Sequence, residues 1–191
     1  MSVERTEKIP VETAAGDGGA AVRTAIVMRQ VAVSASFARP SDSTPYGAND
    51  AVANSTSAPT VLNFADVVGG VGMSGEIVKV RLMTNQSTNQ ARFRLHLFHT
   101  APTPINDNAA HTILYANRAN RIGSVTLPLC STAGSGSDAA NSIAVPGTPL
   151  SNVPLAFTCA ADDTDLYGML EALDAFTPAS GQQFFIEITV K

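Results

Sequence analysis

A chain of 191 residues is long enough to bury one substantial core, and its length predicts one domain. Charged residues make up only 15% and the net charge is −4, which argues against nucleic acid, a partner that calls for a dense basic patch. No run approaches the roughly 20 apolar residues of a membrane span, and the polar stretch Met1 to Pro10 leads into no signal-peptide core. The expectation is a soluble protein made in a cytoplasm, with no membrane partner. Abundant Gly, Ala, Ser, Thr, Asn and Pro favour a loop-rich β domain over a helical bundle.

In chain order, residues 1–20 mix charges with Gly16-Asp17-Gly18-Gly19 and have little apolar surface to offset the entropy of ordering. They read as a flexible N-terminal arm, either frayed or ordered against a neighbouring subunit. Residues 21–191 read as one β-sandwich domain. Val22 to Phe37 is the first strand candidate, with apolar groups on both faces. Arg39 to Pro59 is a polar loop of a length that often serves binding. Tyr46, the one large residue near its middle, is expected to pack the loop down. Thr60 to Phe64 makes a short strand, and Val67 to Ser74 is a glycine-punctuated connection.

Gly75 to His99 carries the clearest pattern. Val78, Val80 and Leu82 alternate with Lys79 and Arg81; Phe93, Leu95 and Leu97 alternate with Arg92, Arg94 and His96. Alternation of this kind marks strands with one buried and one wet face. The polar run Asn85 to Gln90 between them reads as a hairpin loop. Paired antiparallel, the two arms would set Lys79, Arg81, Arg92 and Arg94 in a basic ladder. That ladder is either neutralised by the protein's own Asp and Glu or is a docking face for an acidic protein surface.

Ala101-Pro102-Thr103-Pro104 fits no central strand. Thr112 to Tyr115 is a short extended piece or a helical turn running into Ala116-Asn117-Arg118. Ile122 to Leu129 alternates with Val125, Leu127 and Leu129 on one side, and Ser131 to Asn141 is a low-complexity surface loop. Leu155 to Cys159 and Asp165 to Phe176 read as further strands, the second open also to a helical reading that Gly168 and Thr177-Pro178 weaken without removing. The last strand buries Phe184, Ile186, Ile188 and Val190. About eight strands with long connections predict an all-β, jelly-roll-like antiparallel sandwich. An immunoglobulin-like sandwich ranks second, lacking its Cys–Trp–Cys hallmark.

Catalytic signatures are missing, so the protein is expected not to be an enzyme. His96, His99 and His111 suggest a metal, yet strand residues three apart face opposite ways, and surface histidines without a metal are expected. Asp162, Asp163 and Asp165 read as a solvated turn, since the spacing suits no EF-hand. No Gly-x-Ser-x-Gly elbow is present, and Gly69-Gly70-Val71-Gly72 lacks the residues of a phosphate loop. Cys130 and Cys159 are expected as buried free thiols. No cofactor is expected.

Ala91-Arg92-Phe93-Arg94-Leu95-His96-Leu97-Phe98-His99-Thr100-Ala101-Pro102, with Asp107-Asn108, Tyr115-Ala116-Asn117-Arg118, Leu173 to Pro178 and Phe184 to Glu187, resembles small proteins encoded beside the major capsid protein of tailed bacteriophages. The resemblance covers roughly residues 60 to 190. It implies a capsid decoration or cement protein on the outside of a phage head, a β-sandwich or jelly roll without catalytic residues. The implied partners are the major capsid protein and further copies of the chain, as a dimer or trimer. The implied place is the virion surface after synthesis in the host cytoplasm. A carbohydrate- or receptor-binding sandwich of a phage tail or cell surface is the alternative, and a hydrolase using His99 and Asp107 ranks last.

Overall fold

Residues that alternate apolar with polar bury one face only against a second layer, and the chain solves this with two antiparallel sheets. A computed structural model of the protein describes residues 30–88 and 91–191. The expected arm, 1–20, and the start of the first strand candidate lie outside the described residues. The strands are β1 (Val31–Ala38), β2 (Ala51–Val52), β3 (Leu62–Phe64), β4 (Ser74–Thr84), β5 (Phe93–Phe98), β6 (Arg121–Leu127), β7 (Ser131–Thr132), β8 (Ala140–Ala144), β9 (Leu155–Thr158), β10 (Leu166–Ala172) and β11 (Gln183–Val190). A short 3-10 turn, Tyr115–Asn117, precedes β6. One sheet runs β1-β11-β4-β8-β7 with β9 also on β4; the other runs β2-β10-β5-β6 with β3 also on β10. Successive strands mostly cross from one sheet to the other, the connectivity of a jelly roll.

The hairpin expected over Gly75 to His99 is not formed. β4 pairs with β11, β8 and β9, whereas β5 pairs with β10 and β6. Local alternation is the same in both arrangements. The connecting run of polar residues is longer than a tight hairpin turn, and it has ample length to cross the ~10 Å between packed sheets. Crossing sets Val80 and Leu82 in one sheet and Phe93, Leu95 and Leu97 in the other, all fully buried in the shared core.

A second departure is a bulge. Thr189 pairs with Lys79 but Val190 pairs with Ile77, leaving Val78 without a partner. The extra residue shifts the parity, so Ile77 rather than Val78 enters the core.

Other sequence expectations change in detail. β1 is an edge strand whose Val33, Ala35 and Phe37 pack inward while Ala32, Ser34 and Ser36 are exposed. β6 ends at Leu127, so Leu129 is exposed rather than buried. Ser131 to Asn141 holds β7 and the start of β8. The inward residues of β8 are Ala140, Ser142 and Ala144, and its large residue Ile143 points outward, so it shows no inward apolar stripe. Gly168 faces inward on β10, where an added Cβ would come within 3.1 Å of Leu95 and Phe64. Cys130 and Cys159 are buried free thiols, as expected. Burial pushes Cys130 up to about 12, and burial with nearby Asp163 and Asp165 raises Cys159 to about 11.

Aromatic rings run through the core. Phe37 stacks on Phe184, Phe93 meets both Phe184 and Phe176 edge-on, and Tyr46 stacks on Phe176 at 4.8 Å between centroids. Tyr46 thus packs the long polar loop down, as expected. Its hydroxyl donates to Asp107 Oδ1 at 2.6 Å, and Arg39 Nη2 donates to Asp107 Oδ2 at 3.2 Å. The Ala53 N–H donates to Asp107 Oδ1 at 2.8 Å. Both side chains of the Arg39–Asp107 pair are wholly buried.

Removing one partner of a buried ion pair leaves an uncompensated charge. Asp107→Ala is therefore expected to cost about 3–5 kcal/mol in urea unfolding. Arg92→Ala, which breaks a solvent-exposed pair with Asp174, should leave the urea midpoint almost unchanged.

Candidate functional site

The outer face of the β5–β10 sheet is where side chains with chemistry meet. Inward Leu95 and Leu97 leave Arg94 and His96 on the outward face of β5, and inward Leu170 leaves Glu171 on the outward face of β10. Register then decides which of them touch: Arg94 lies opposite Glu171 across the pair, and His96 opposite Met169. Edges and faces of this kind are usually wet. Here residues 99–120 fold back over the face, held by Asp107 N to Ser55 O, Asn108 N to Ala51 O and His111 N to Asn49 O, each 2.8–2.9 Å. The cover leaves His96 only 4% and Glu171 only 5% exposed.

His96 Nε2 lies 2.8 Å and Arg94 Nη1 3.1 Å from the same oxygen, Glu171 Oε2. The imidazole of His111 stacks on that of His96, with centroids 4.3 Å apart and planes 17° from parallel. One ligating atom from each of His96, His111 and Glu171 lies within 4.8 Å of the others. Two buried nitrogens, His96 Nδ1 and His111 Nε2, have no hydrogen-bond partner among the described residues. Burial lowers His111 to about 4, helped by the positive charge of His96, Arg94 and Arg121 and opposed by Glu171. Burial alone would raise Glu171, but the bond and charge of His96 and the charge of Arg94 hold it below the usual carboxylate range. The site therefore offers a neutral imidazole, a second imidazole and an anionic carboxylate near neutral pH.

His96 is expected at the surface and is buried instead, because the connection that follows β5 folds back over this face and its polar sequence carries no pattern that signals it. His99 is set apart from the cluster; its Nε2 lies 3.1 Å from Ala119 O. Glu171 escaped notice in the sequence, since an acidic residue within an apolar run reads as an exposed strand position. The basic ladder is not formed as one row. Lys79 and Arg81 both pair with Glu187 on the β11–β4 sheet, at 3.5 and 3.1 Å. Arg92 pairs with Asp174 at 2.7 Å and Arg94 with Glu171 at 3.1 Å, on the opposite sheet. Separation into two sheets follows from the crossing of β4 and β5.

The acidic run is a built turn. Asp163 accepts bonds from Thr164 N, Asp165 N and the Tyr167 hydroxyl, which hold its carboxyl low, and Asp165 accepts from Asp66 N. A groove of about 440 Å³ opens between β1 and the β2–β3 edge, and no titratable side chain lines it.

The class defined by these features is an all-β jelly-roll sandwich with a covered His–His–Glu cluster on one outer face. A comparison with protein-family models and with curated proteins finds no match to the chain. Among the described residues no helix is long and apolar enough to cross a membrane.

A base held neutral by the fold makes stability fall with acid. The unfolded His111 binds its proton near its ordinary 6.5 while the folded one waits until about 4. Between those values the unfolded state carries more protons, so stability decreases as pH falls through this window. Urea titrations of chelator-treated protein should show that slope, and His111→Gln should flatten it.

Proposed function

We propose that the protein is a virion structural protein, a decoration or cement protein that binds the outside of a phage head and stabilises contacts between capsomers. One observation supports this reading above the rest. Beside the β8 edge the sandwich leaves large apolar side chains in water: Ile143, Val145 and Leu150, the last of them 79% exposed. Ile143 and Val145 share the outward parity of β8 and its continuation, and Leu150 lies a few residues on, in the turn closed by Ser151 N to Thr148 O. Buried apolar area is what drives most protein association. The outward cations supply less, because Lys79, Arg81, Arg92 and Arg94 each already have an acidic partner. The expected docking face becomes two separate patches, in one of which Lys79 and Arg81 share the single carboxylate of Glu187. A two-sheet sandwich with apolar side chains on its outside suits a clamp between neighbouring capsid subunits, acting as a dimer or trimer.

The carbohydrate- or receptor-binding reading has one observation in its favour, Tyr115, which is 80% exposed. Arg118 lies 4.3 Å from the ring centroid and occupies one of its faces, which leaves half a platform for a sugar.

Purified protein added to phage shells that lack it should co-sediment with them and raise their melting temperature in calorimetry. Leu150→Asp should weaken binding by roughly tenfold or more, the scale of losing one buried leucine side chain. Failure to bind such shells, with a reproducible hit on a glycan array that Tyr115→Ala abolishes, would reverse the order of the two readings.

A further inference from the structure

We propose that His96, His111 and Glu171 form a binding site for one divalent transition metal of the zinc type, which clips the 99–120 cover onto the β5–β10 sheet. The donor set is right for such an ion: two imidazoles and a carboxylate suit zinc, whereas calcium and magnesium take oxygen ligands. The ligands come from three separate parts of the chain, strands β5 and β10 and the cover. All three donor atoms already lie within 4.8 Å of one another. His111 Nε2 is buried with no hydrogen-bond partner among the described residues, a cost that the metal bond removes.

Loading requires three small movements. At metal–ligand bonds of about 2.1 Å and a tetrahedral angle, donor atoms sit about 3.4 Å apart. The 2.8 Å contact of His96 Nε2 with Glu171 Oε2 therefore opens slightly, the ion replacing the proton between them. His111 turns out of its stack, because lone pairs of two nearly parallel rings lie in separate planes and do not converge. The half-buried placement of His111 on the cover leaves room for that turn. Arg94, whose side chain is 36% exposed, withdraws its guanidinium from Glu171 toward solvent. Three protein ligands leave the fourth position to water.

The test uses the full chain, freed of metal by chelator, then titrated with zinc chloride in competition with a chromophoric chelator. One equivalent per chain is expected to bind and to raise the melting temperature, while magnesium and calcium chloride at equal concentration do neither. His111→Ala and Glu171→Gln should each weaken zinc by at least about 10–100-fold, more than losing an outer partner does. His99→Ala, which alters a histidine outside the cluster, should bind as the unaltered protein does. Cobalt(II) should give visible absorption bands in the unaltered chain that His111→Ala abolishes. Circular dichroism of His111→Ala should match the parent, since its side chain is only half buried. Absence of zinc binding, or equal affinity in His111→Ala and the parent, would overturn the site. So would loss of binding in His99→Ala with retention in Glu171→Gln. These outcomes leave the capsid reading standing, because it uses a different surface.

Discussion

The carboxylate of Asp107 is the constraint that holds the outer layers together. It is buried, and a buried carboxylate must be paired and hydrogen-bonded or it destabilises the fold. It accepts from Arg39 and Tyr46 on the β1–β2 connection and from Ala53 on the β2–β3 connection, which gathers two connections around a group carried by a third. Arg39 follows β1 directly, Tyr46 stacks on Phe176 beyond β10, and Ala53 follows β2. Asp107 itself belongs to the cover over the β5–β10 sheet. The polar knot therefore fixes where that cover lies, and through it the burial of His96 and Glu171. A purely apolar clasp would tolerate sliding; a charged pair with a phenol and an amide on defined lone pairs does not.

Much of the sandwich was legible because its strands obey simple alternation. Phe184, Ile186, Ile188 and Val190 point inward as their parity requires, and Phe93, Leu95 and Leu97 do the same. Whether β4 and β5 pair or cross could not be read from the same pattern, since both arrangements bury the same stripe. β8 was invisible for the opposite reason. Its inward positions are Ala and Ser, so its period carries no hydrophobic signal, and its Ile143 faces water. The bulge at Val78 is likewise local geometry beyond a residue count. The candidate site was the least legible part. It joins residues 75 positions apart on two strands with a third on the cover, and only the sheet register brings them together.

The fate of the expected basic ladder shows how topology decides electrostatics. Four cations in one row would repel and draw in an acidic partner. Divided between two sheets, Lys79 and Arg81 share Glu187 across a strand pair, while Arg92 meets Asp174 and Arg94 meets Glu171. Exposed pairs of this sort contribute little to stability and are screened by salt. Their effect is on specificity: they remove the like-charge field that would favour acidic partners, and leave exposed apolar side chains as the main attraction for a docking surface.

The cover over His96 carries an unusual energetic feature. Burying two nitrogens without partners costs roughly 1–3 kcal/mol each, which a fold does not ordinarily retain in two adjacent rings. Stacking of the two rings offsets part of this. The knot at Asp107 offsets more, because it holds the cover down whatever the imidazoles do. One connection thus contains a strong anchor at Asp107 and a weakly satisfied cluster at His111. An arrangement of that kind lets the cluster change its ligation without unfolding the sandwich, since the strands beneath are held by backbone ladders and inward core contacts that do not depend on the imidazole side chains.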